Sequence, residues 1–303
     1  MRRTAWALSA TVSALLFIAP AARAATSCDK SCLERIADQY RAAYVKHDAR
    51  ALPLAGKVRF SENGVMMPSF PDASWDTITR EAGPATTFSD PQTGQIAIFT
   101  AILQMDTPGF LAIRLKVENG RIAEIEHMLS TKRNLSGPPT PIGEIETYKP
   151  DANLTAIVPA DKRLPRARLM ARATGYFDTL QNNTGEIRGT RFTPEATRIE
   201  NGRLYTEIEK GFRRGYYRFN DRVRREHLLV DEERQVVLAR GFIDHKGVLD
   251  EYTTTDGEKI RSVYREPHTW AFLEMFKVND DRITGVQAVF IGVPYYMESP
   301  WKK

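Results

Sequence analysis

One stretch of the chain is written twice. Leu115-Lys-Val-Glu-Asn-Gly-Arg-Ile122 returns as Phe276-Lys-Val-Asn-Asp-Asp-Arg-Ile283, and Glu62-Asn-Gly64 returns as Glu200-Asn-Gly202. The short element precedes the long one both times. A helix-like segment and an Arg-containing approach lead into each, Val58-Arg59-Phe60 first and Thr197-Arg198-Ile199 second. Self-similarity in the same order in both halves is the mark of a duplicated structural unit. It constrains the fold, the domain boundary and the candidate pockets together, because whatever the first half folds into, the second should fold into as well.

With 303 residues the chain is long enough for two such units, each with its own core. Its first residues read as a secretory leader spanning 1–24. Arg2 and Arg3 form the positive start, Ala5 to Ala19 is largely apolar, Pro20 breaks the run, and Ala22-Arg23-Ala24 fits a small-x-small cleavage site. The apolar run is too short and wrongly flanked for a membrane span. The mature protein is therefore expected to be periplasmic or secreted, with no membrane association after processing. Loss of Arg2, Arg3 and Arg23 takes the formal charge from +5 to about +2, too mild to suggest nucleic acid. The basic, aromatic run from Arg213 to Arg225 reads instead as strands with solvated arginines near Glu207, Glu209 and Glu226. Cys28 and Cys32 lie where an exported chain can oxidise them. A bridge between them requires Cys28 to sit in a non-helical lead-in, and pairing between chains is the alternative.

Hydrophobic spacing predicts a helix over 29–47, with Leu33, Ile36, Ala37, Tyr40, Ala43 and Tyr44 on its apolar face. From Val58 the pattern becomes strand-like. Gln95 to Gln104 reads as a buried strand. Phe110–Val117 and Ile122–Leu129 form a hairpin around Asn119-Gly120, a pair that supplies the positive φ angles of a tight turn. The first domain is thus 29–132. Prolines at 138, 139, 141, 150, 159 and 165 make 133–165 a linker. The second domain, 166–301, restarts with a helix to about Asn182 and ends in a hairpin of His268–Val278 and Ile283–Val293. Helix first and curved antiparallel sheet after, twice over, predicts an α+β fold of two tandem cones, each helix packed on a bent sheet with room for a cavity.

Specific residues carry a family resemblance. Cys32-Leu-Glu-Arg-Ile-Ala-Asp-Gln-Tyr40 with Tyr44-Val-Lys-His47-Asp48, and the strand pair from Leu111 to Glu126, resemble the nuclear transport factor 2-like superfamily, in particular its SnoaL-like members. Phe242-Ile-Asp-His245 and the ending Val293-Pro-Tyr-Tyr-Met-Glu-Ser-Pro-Trp301 are similar to an exported two-domain branch. The resemblance implies a cone with a deep pocket, used elsewhere by polyketide cyclases, ketosteroid isomerases, scytalone dehydratases and formaldehyde-releasing lyases, or for binding alone. It also implies pairing through the sheet face, which a duplicated chain can satisfy internally as a pseudo-dimer, leaving a monomer or a homodimer. The chain departs from that branch at Tyr296, where glycine is usual, and in lacking a cysteine in its second half.

Strand alternation selects the site candidates. His268, Trp270, Phe272, Glu274 and Phe276 share a face, and a carboxylate interrupting an apolar strip suits acid or base work. Asp244 and His245 end a preceding strand. As neighbours they point to opposite faces, so each would need its own partner. The catalytic set expected is Glu274, His268, His245 and Asp244. Trp270, Phe272, Tyr205, Tyr176, His127 and Tyr44 are expected to line pockets, with Tyr40 and Trp75 as further walls. Arg114 and Lys116 opposite Glu124 and Glu126 read as cross-strand ion pairs. Asp90 and Asp231 hold matching places in the repeat and read as turn residues. Phosphate loops, nucleophile elbows and His-Glu-x-x-His are absent from the sequence, and the histidines are scattered singly. The expected function is a cofactor-free, metal-free lyase, dehydratase or isomerase acting by proton transfer on a small aromatic or cyclic molecule. The alternative is a carrier using the same cavity without turnover.

Overall fold

The computed structural model describes residues 28–132, 141–247, 251–262 and 265–302. The residues expected to form the leader, and 133–140 of the expected linker, lie outside them. Helix α1 (Lys30–Lys46) buries the six residues picked out by their spacing. Asp29 caps it, its carboxylate accepting from the Cys32 backbone N–H at 2.9 Å. Cys28 stands before the cap and closes a disulfide to Cys32.

The first sheet contains β1 (Leu54–Glu62), β2 (Val65–Met66), β3 (Ile78–Glu81), β4 (Thr86–Asp90), β5 (Gln95–Gln104), β6 (Thr107–Glu118) and β7 (Arg121–Thr131). Its order is β2-β1-β7-β6-β5-β3, with β4 also on β5, and β1 runs parallel to β7. The linker carries a single turn of helix, α2 (Ala152–Thr155). The second half then begins with α3 (Arg166–Leu180), β8 (Phe192–Glu200), β9 (Arg203–Tyr205) and α4 (Ile208–Arg213). It continues with β10 (Arg222–Asp231), β11 (Val236–His245), a small hairpin of β12 (Glu251–Thr253) and β13 (Lys259–Arg261), β14 (His268–Asn279) and β15 (Arg282–Val293). Its sheet order is β10-β11-β14-β15-β8-β9, with β8 parallel to β15. Strand for strand this repeats β4-β5-β6-β7-β1-β2. Both halves are α+β, as the sequence predicts. Register shifts place extra residues in β1, β7, β8, β10 and β15, and such bulges bend a strand.

Three apolar clusters hold the molecule together. One lies between α1 and its sheet and another between α3 and its sheet. The third lies between the two sheets, where Phe99, Phe110, Ala112 and Met128 meet Leu229, Leu238, Leu273, Met275 and Val289. An ion pair crosses the same boundary, with Glu126 accepting from Arg114 Nε at 2.7 Å and from Arg240 Nη1 at 2.6 Å.

The written repeat has structural causes. Gly64 and Gly202 both stand at φ +78° in the turn after the first strand of their half, a conformation that glycine adopts without steric cost. The preceding asparagines lock that turn to the last strand, Asn63 accepting from Leu129 N–H at 2.8 Å and Asn201 from Phe290 N–H at 3.0 Å. Lys277 donates to the Arg234 carbonyl at 2.6 Å, and Lys116 donates to the Thr93 carbonyl. Each lysine thus ties the last hairpin of its half to the turn that follows the repeated aspartate. Lys116 is therefore a backbone staple rather than the partner of a cross-strand glutamate, whereas Arg114 takes both Glu124 and Glu126. The arginine-rich run also differs from expectation. Arg213 pairs with Glu209, but Arg214 reaches Asp256 and Glu258, Arg222 and Arg224 reach Asp244, and Arg225 reaches Asp178.

Candidate functional site

The second half holds an open cavity between α3 and its sheet. Alternation along β14 turns Trp270, Phe272 and Glu274 towards the helix, where Tyr176 meets them. β8 contributes Arg198 and Glu200, and the segment between α4 and β10 contributes Tyr217 and Phe219. These residues, with Ile243 and Phe290, enclose an inner chamber of about 120 Å³.

The polar groups of this chamber form one connected set. Glu274 stands beside the Tyr176 hydroxyl on the chamber floor. Arg198 donates to Tyr176 Oη at 3.1 Å and to Tyr217 Oη at 2.8 Å, and its Nε lies 2.9 Å from Glu200. Burial in an aromatic wall pushes the Glu274 carboxyl up to about 8, and the Glu200 charge adds to the effect. Arg198 and the Tyr176 hydrogen bond oppose it. Tyr176 is likewise held well above its ordinary value, first by burial. At neutral pH the floor of the chamber therefore offers a neutral carboxylic acid and a neutral phenol, braced by a guanidinium. Such a pair can donate hydrogen bonds or a proton to an oxygen on a bound molecule.

A larger outer chamber, about 420 Å³, shares Arg198, Glu200, Tyr217, Phe219 and Phe290 with the inner one. Tyr205, Tyr216 and Tyr252 supply more of its wall, and Ile260, Arg261 and Ser262 come from the small hairpin and its exit.

Of the residues expected from sequence, Glu274, Trp270, Phe272 and Tyr176 line the inner chamber and Tyr205 the outer one. The others do not join them. His245 and His268 face each other across β11 and β14 and stack at 4.9 Å between centroids. They lie behind the wall, against Phe219 and Trp270. His245 accepts from Gly247 N–H at 2.9 Å, and His268 Nδ1 lies 3.0 Å from the Glu266 carbonyl. Burial, and then the neighbouring His268, lower His245 to about 4. Asp244 is turned to the opposite face, as alternation requires. There it accepts from Arg222, Arg224 and Thr269, so it is a structural anion and not a member of the cavity.

His127 and Tyr44 belong to the first half, whose interior is packed. His127 is hydrogen-bonded to Tyr40 Oη and Ser74 Oγ, each at 2.8 Å. Tyr44 donates to Glu81 at 2.7 Å. Trp75 stands edge-on to Tyr40 and Phe70 at 5.5 and 4.8 Å. His127, Tyr40, Tyr44 and Trp75 have no exposed surface. They are a hydrogen-bonded core rather than pocket walls.

Sequence reasoning missed Arg198, Glu200 and Tyr217 as site residues. Register supplies the signal that could have found the first. Phe60 and Arg198 hold equivalent places, each two residues before the glutamate that pairs with His127 or Ala288. An arginine where the sister unit buries a phenylalanine is an interior charge. Ile113 likewise holds the place of Glu274. Among the described residues no three His, Cys, Asp or Glu side chains are grouped to hold a metal. No described helix is long and apolar enough to cross a membrane.

A family model described as a domain of unknown function, DUF8021, matches residues 162–290, the part that contains this cavity. No curated protein matches the chain. Several solved structures are similar over one unit. An NTF2-like protein from Cytophaga hutchinsonii is 13% identical, covers 42% of this chain and 99% of its own, and has a TM-score of 0.30. A candidate polyketide cyclase, IdmH, from Streptomyces antibioticus is 14% identical over 40% and 91% of the two chains, at a TM-score of 0.29. A candidate ketosteroid isomerase from Kribbella flavida is 15% identical over 43% and 93%, at 0.27. The fold assignment itself stands on the strand order and bent sheets of this chain.

Proposed function

We propose that the chain is an exported, cofactor-independent enzyme that moves a proton on a small cyclic or aromatic molecule held in the cavity of its second half. The observation that carries this reading is Glu274. It is a carboxyl group buried at the end of an open, aromatic-walled chamber, set beside Tyr176 and kept protonated near neutral pH. A fold gains nothing in stability by burying such a group, because an apolar residue there would avoid the cost of desolvating a carboxyl, and its poise near neutrality suits acid–base work. In this reading Glu274 exchanges a proton with the substrate. Tyr176 donates a hydrogen bond to the oxygen on which charge develops. Arg198, neutralised by Glu200, holds Tyr176 and Tyr217 in place. Trp270, Phe272 and Phe290 exclude water and receive the ring. The reaction class is that of a lyase, dehydratase or isomerase. The packed first half serves as the internal partner of the second, so that the two tandem units form a pseudo-dimer within one chain.

The test is a thermal-shift screen of small cyclic ketones and phenols, followed by turnover assays of any stabilising compound with wild type and Glu274→Gln. Consumption by wild type and not by a variant that still binds the compound supports the enzyme. Binding of the same compound by both, with no consumption by either, leaves a carrier.

A further inference from the structure

The two halves differ most at one place, and that place adjoins the cavity. In the first half β5 ends at Gln104 and β6 starts at Thr107. In the second half the equivalent strands end at His245 and restart at His268, and the excursion carries the β12–β13 hairpin. Among the described residues the hairpin pairs with no other strand. It contributes Tyr252, Ile260 and Arg261 to the outer chamber, and Ser262 follows directly. An insertion made in one copy of a duplicated fold, beside the copy's open pocket, has no counterpart in the packed copy to suggest a general structural need.

The hairpin is also fastened to the opposite rim. Tyr252 Oη donates to the Tyr216 carbonyl at 2.6 Å. Thr255 N–H donates to the Arg214 carbonyl at 3.0 Å, and Thr255 Oγ1 to the Arg213 carbonyl at 2.8 Å. Arg214 in turn donates to Asp256 at 2.7 Å. Four separate ties hold Tyr252 near Tyr216 and Tyr217 without a ligand, so the outer chamber is a pre-formed slot. Its walls include four tyrosines and two phenylalanines beside Ile260 and Arg261, and Glu200, the one carboxylate among the described lining residues, is already paired with Arg198. Flat aromatic walls and the lack of a free acid fit a second planar ring better than a cation or an aliphatic chain.

Resting on the reading of the inner chamber given above, we infer that the substrate has two rings: one is held at Glu274 and Tyr176, and the other lies in the slot that the β12–β13 hairpin adds. The hairpin is thus the element that sets substrate length. The inner residues act on the first ring, and the slot supplies affinity from the second.

Calorimetric titration of the protein with phenol and with its para-benzyl derivative tests this. Wild type should bind the two-ring probe at least ~10-fold more tightly, the effect of one well-packed aromatic contact. Tyr252→Ala and Ile260→Ala should each remove most of that advantage and change the phenol constant by less than ~3-fold. Ile260 makes none of the hairpin's ties, so its variant separates loss of the wall from loss of the latch. Equal affinity of wild type for both probes, or equal weakening of both by the variants, would overturn the two-ring inference and leave the inner site standing. Failure of wild type to bind either probe would overturn the cavity reading itself, and the inference with it.

Discussion

Lys30, the first residue of α1, places its Nζ 3.2 Å from the carboxylate of Asp231, the last residue of β10 in the other half. The relationship is reciprocal. Arg166, the first residue of α3, donates to Asp90, the last residue of β4. Asp90 also accepts from Val230 N–H at 3.0 Å, and both aspartates have about 1% of their surface exposed. Each half thus caps the turn of the other, which explains why aspartate recurs at these two places in the sequence. Deleting either carboxylate takes the partner from Lys30 or Arg166 and leaves the backbone N–H groups it accepts from, Arg234 at Asp231 and Gln92 and Val230 at Asp90, without their acceptor. Asp231→Ala and Asp90→Ala should each cost about 2–3 kcal/mol. A double-mutant cycle between Lys30 and Asp231 should return a coupling of about 1–2 kcal/mol by denaturant unfolding. A coupling near zero would remove the latch from the account of how the halves are held.

Glu274 gives a pH dependence with an unusual sign. In the unfolded chain it should release its proton near the ordinary 4.5, while in the fold it keeps it to about 8. Between those values the folded state binds the extra proton, so raising the pH favours unfolding. The stabilising effect of the proton is present in full at acid pH and lost progressively up to about 8. Glu274→Gln removes this loss. The stability difference between variant and wild type should therefore grow in the variant's favour from pH 5 to pH 8, by roughly 2–4 kcal/mol, and level off above. Unfolding measured across that range on both proteins decides it, since other titrating groups cancel in the difference. A constant gap would mean that Glu274 is ionised throughout.

Much of this architecture was legible in the chain because its periodicities are local. The α1 face, the β5 strand and the β6–β7 hairpin follow from the spacing of apolar residues and from Asn119-Gly120. Glu274 could be placed beside Trp270 and Phe272 because alternation is a property of one strand. What could not be read was which of two chemically similar faces is lined by the other half. Asp244 stands one residue from His245 and faces arginines of β10, a fact set by the pairing of β10 with β11. Arg198 enters the sequence only as part of the repeated approach to Glu200, because its partners Tyr176 and Tyr217 come from other elements. His127 reads as a pocket residue because nothing in its strand announces that Tyr40 and Ser74, both far away in sequence, take its two ring nitrogens.

The chain's end is fastened to the first half by Trp301. Its Nε1 donates to Ser61 Oγ at 2.9 Å, and the guanidinium groups of Arg59 and Arg114 lie 4.6 and 4.4 Å from its ring. The ring is almost wholly buried. Trp301→Ala should lower stability by about 2–4 kcal/mol, through lost packing and lost cation–π contacts. Trp301→Phe should recover most of this, because it keeps the ring and loses only the bond to Ser61. Equal destabilisation by both variants would assign the effect to the hydrogen bond instead.

Tyr176 is where the proposed chemistry is most exposed to test. Its hydroxyl stands between Glu274 and Arg198, and its ring packs against Phe212 and Phe276 at 5.2 and 4.9 Å. Tyr176→Phe preserves that packing and deletes one donor. If the hydroxyl stabilises charge on the substrate oxygen, kcat should fall by about 10²-fold with little change in KM, the pattern of an interaction made in the transition state. The same variant removes a hydrogen bond that favours the ionised Glu274, so the acid limb of Glu274 should move upward in pH. A role confined to packing would leave both kcat and the pH profile where they are. Movement of the pH profile without loss of kcat would make Tyr176 a positioning residue and leave Glu274 to act alone.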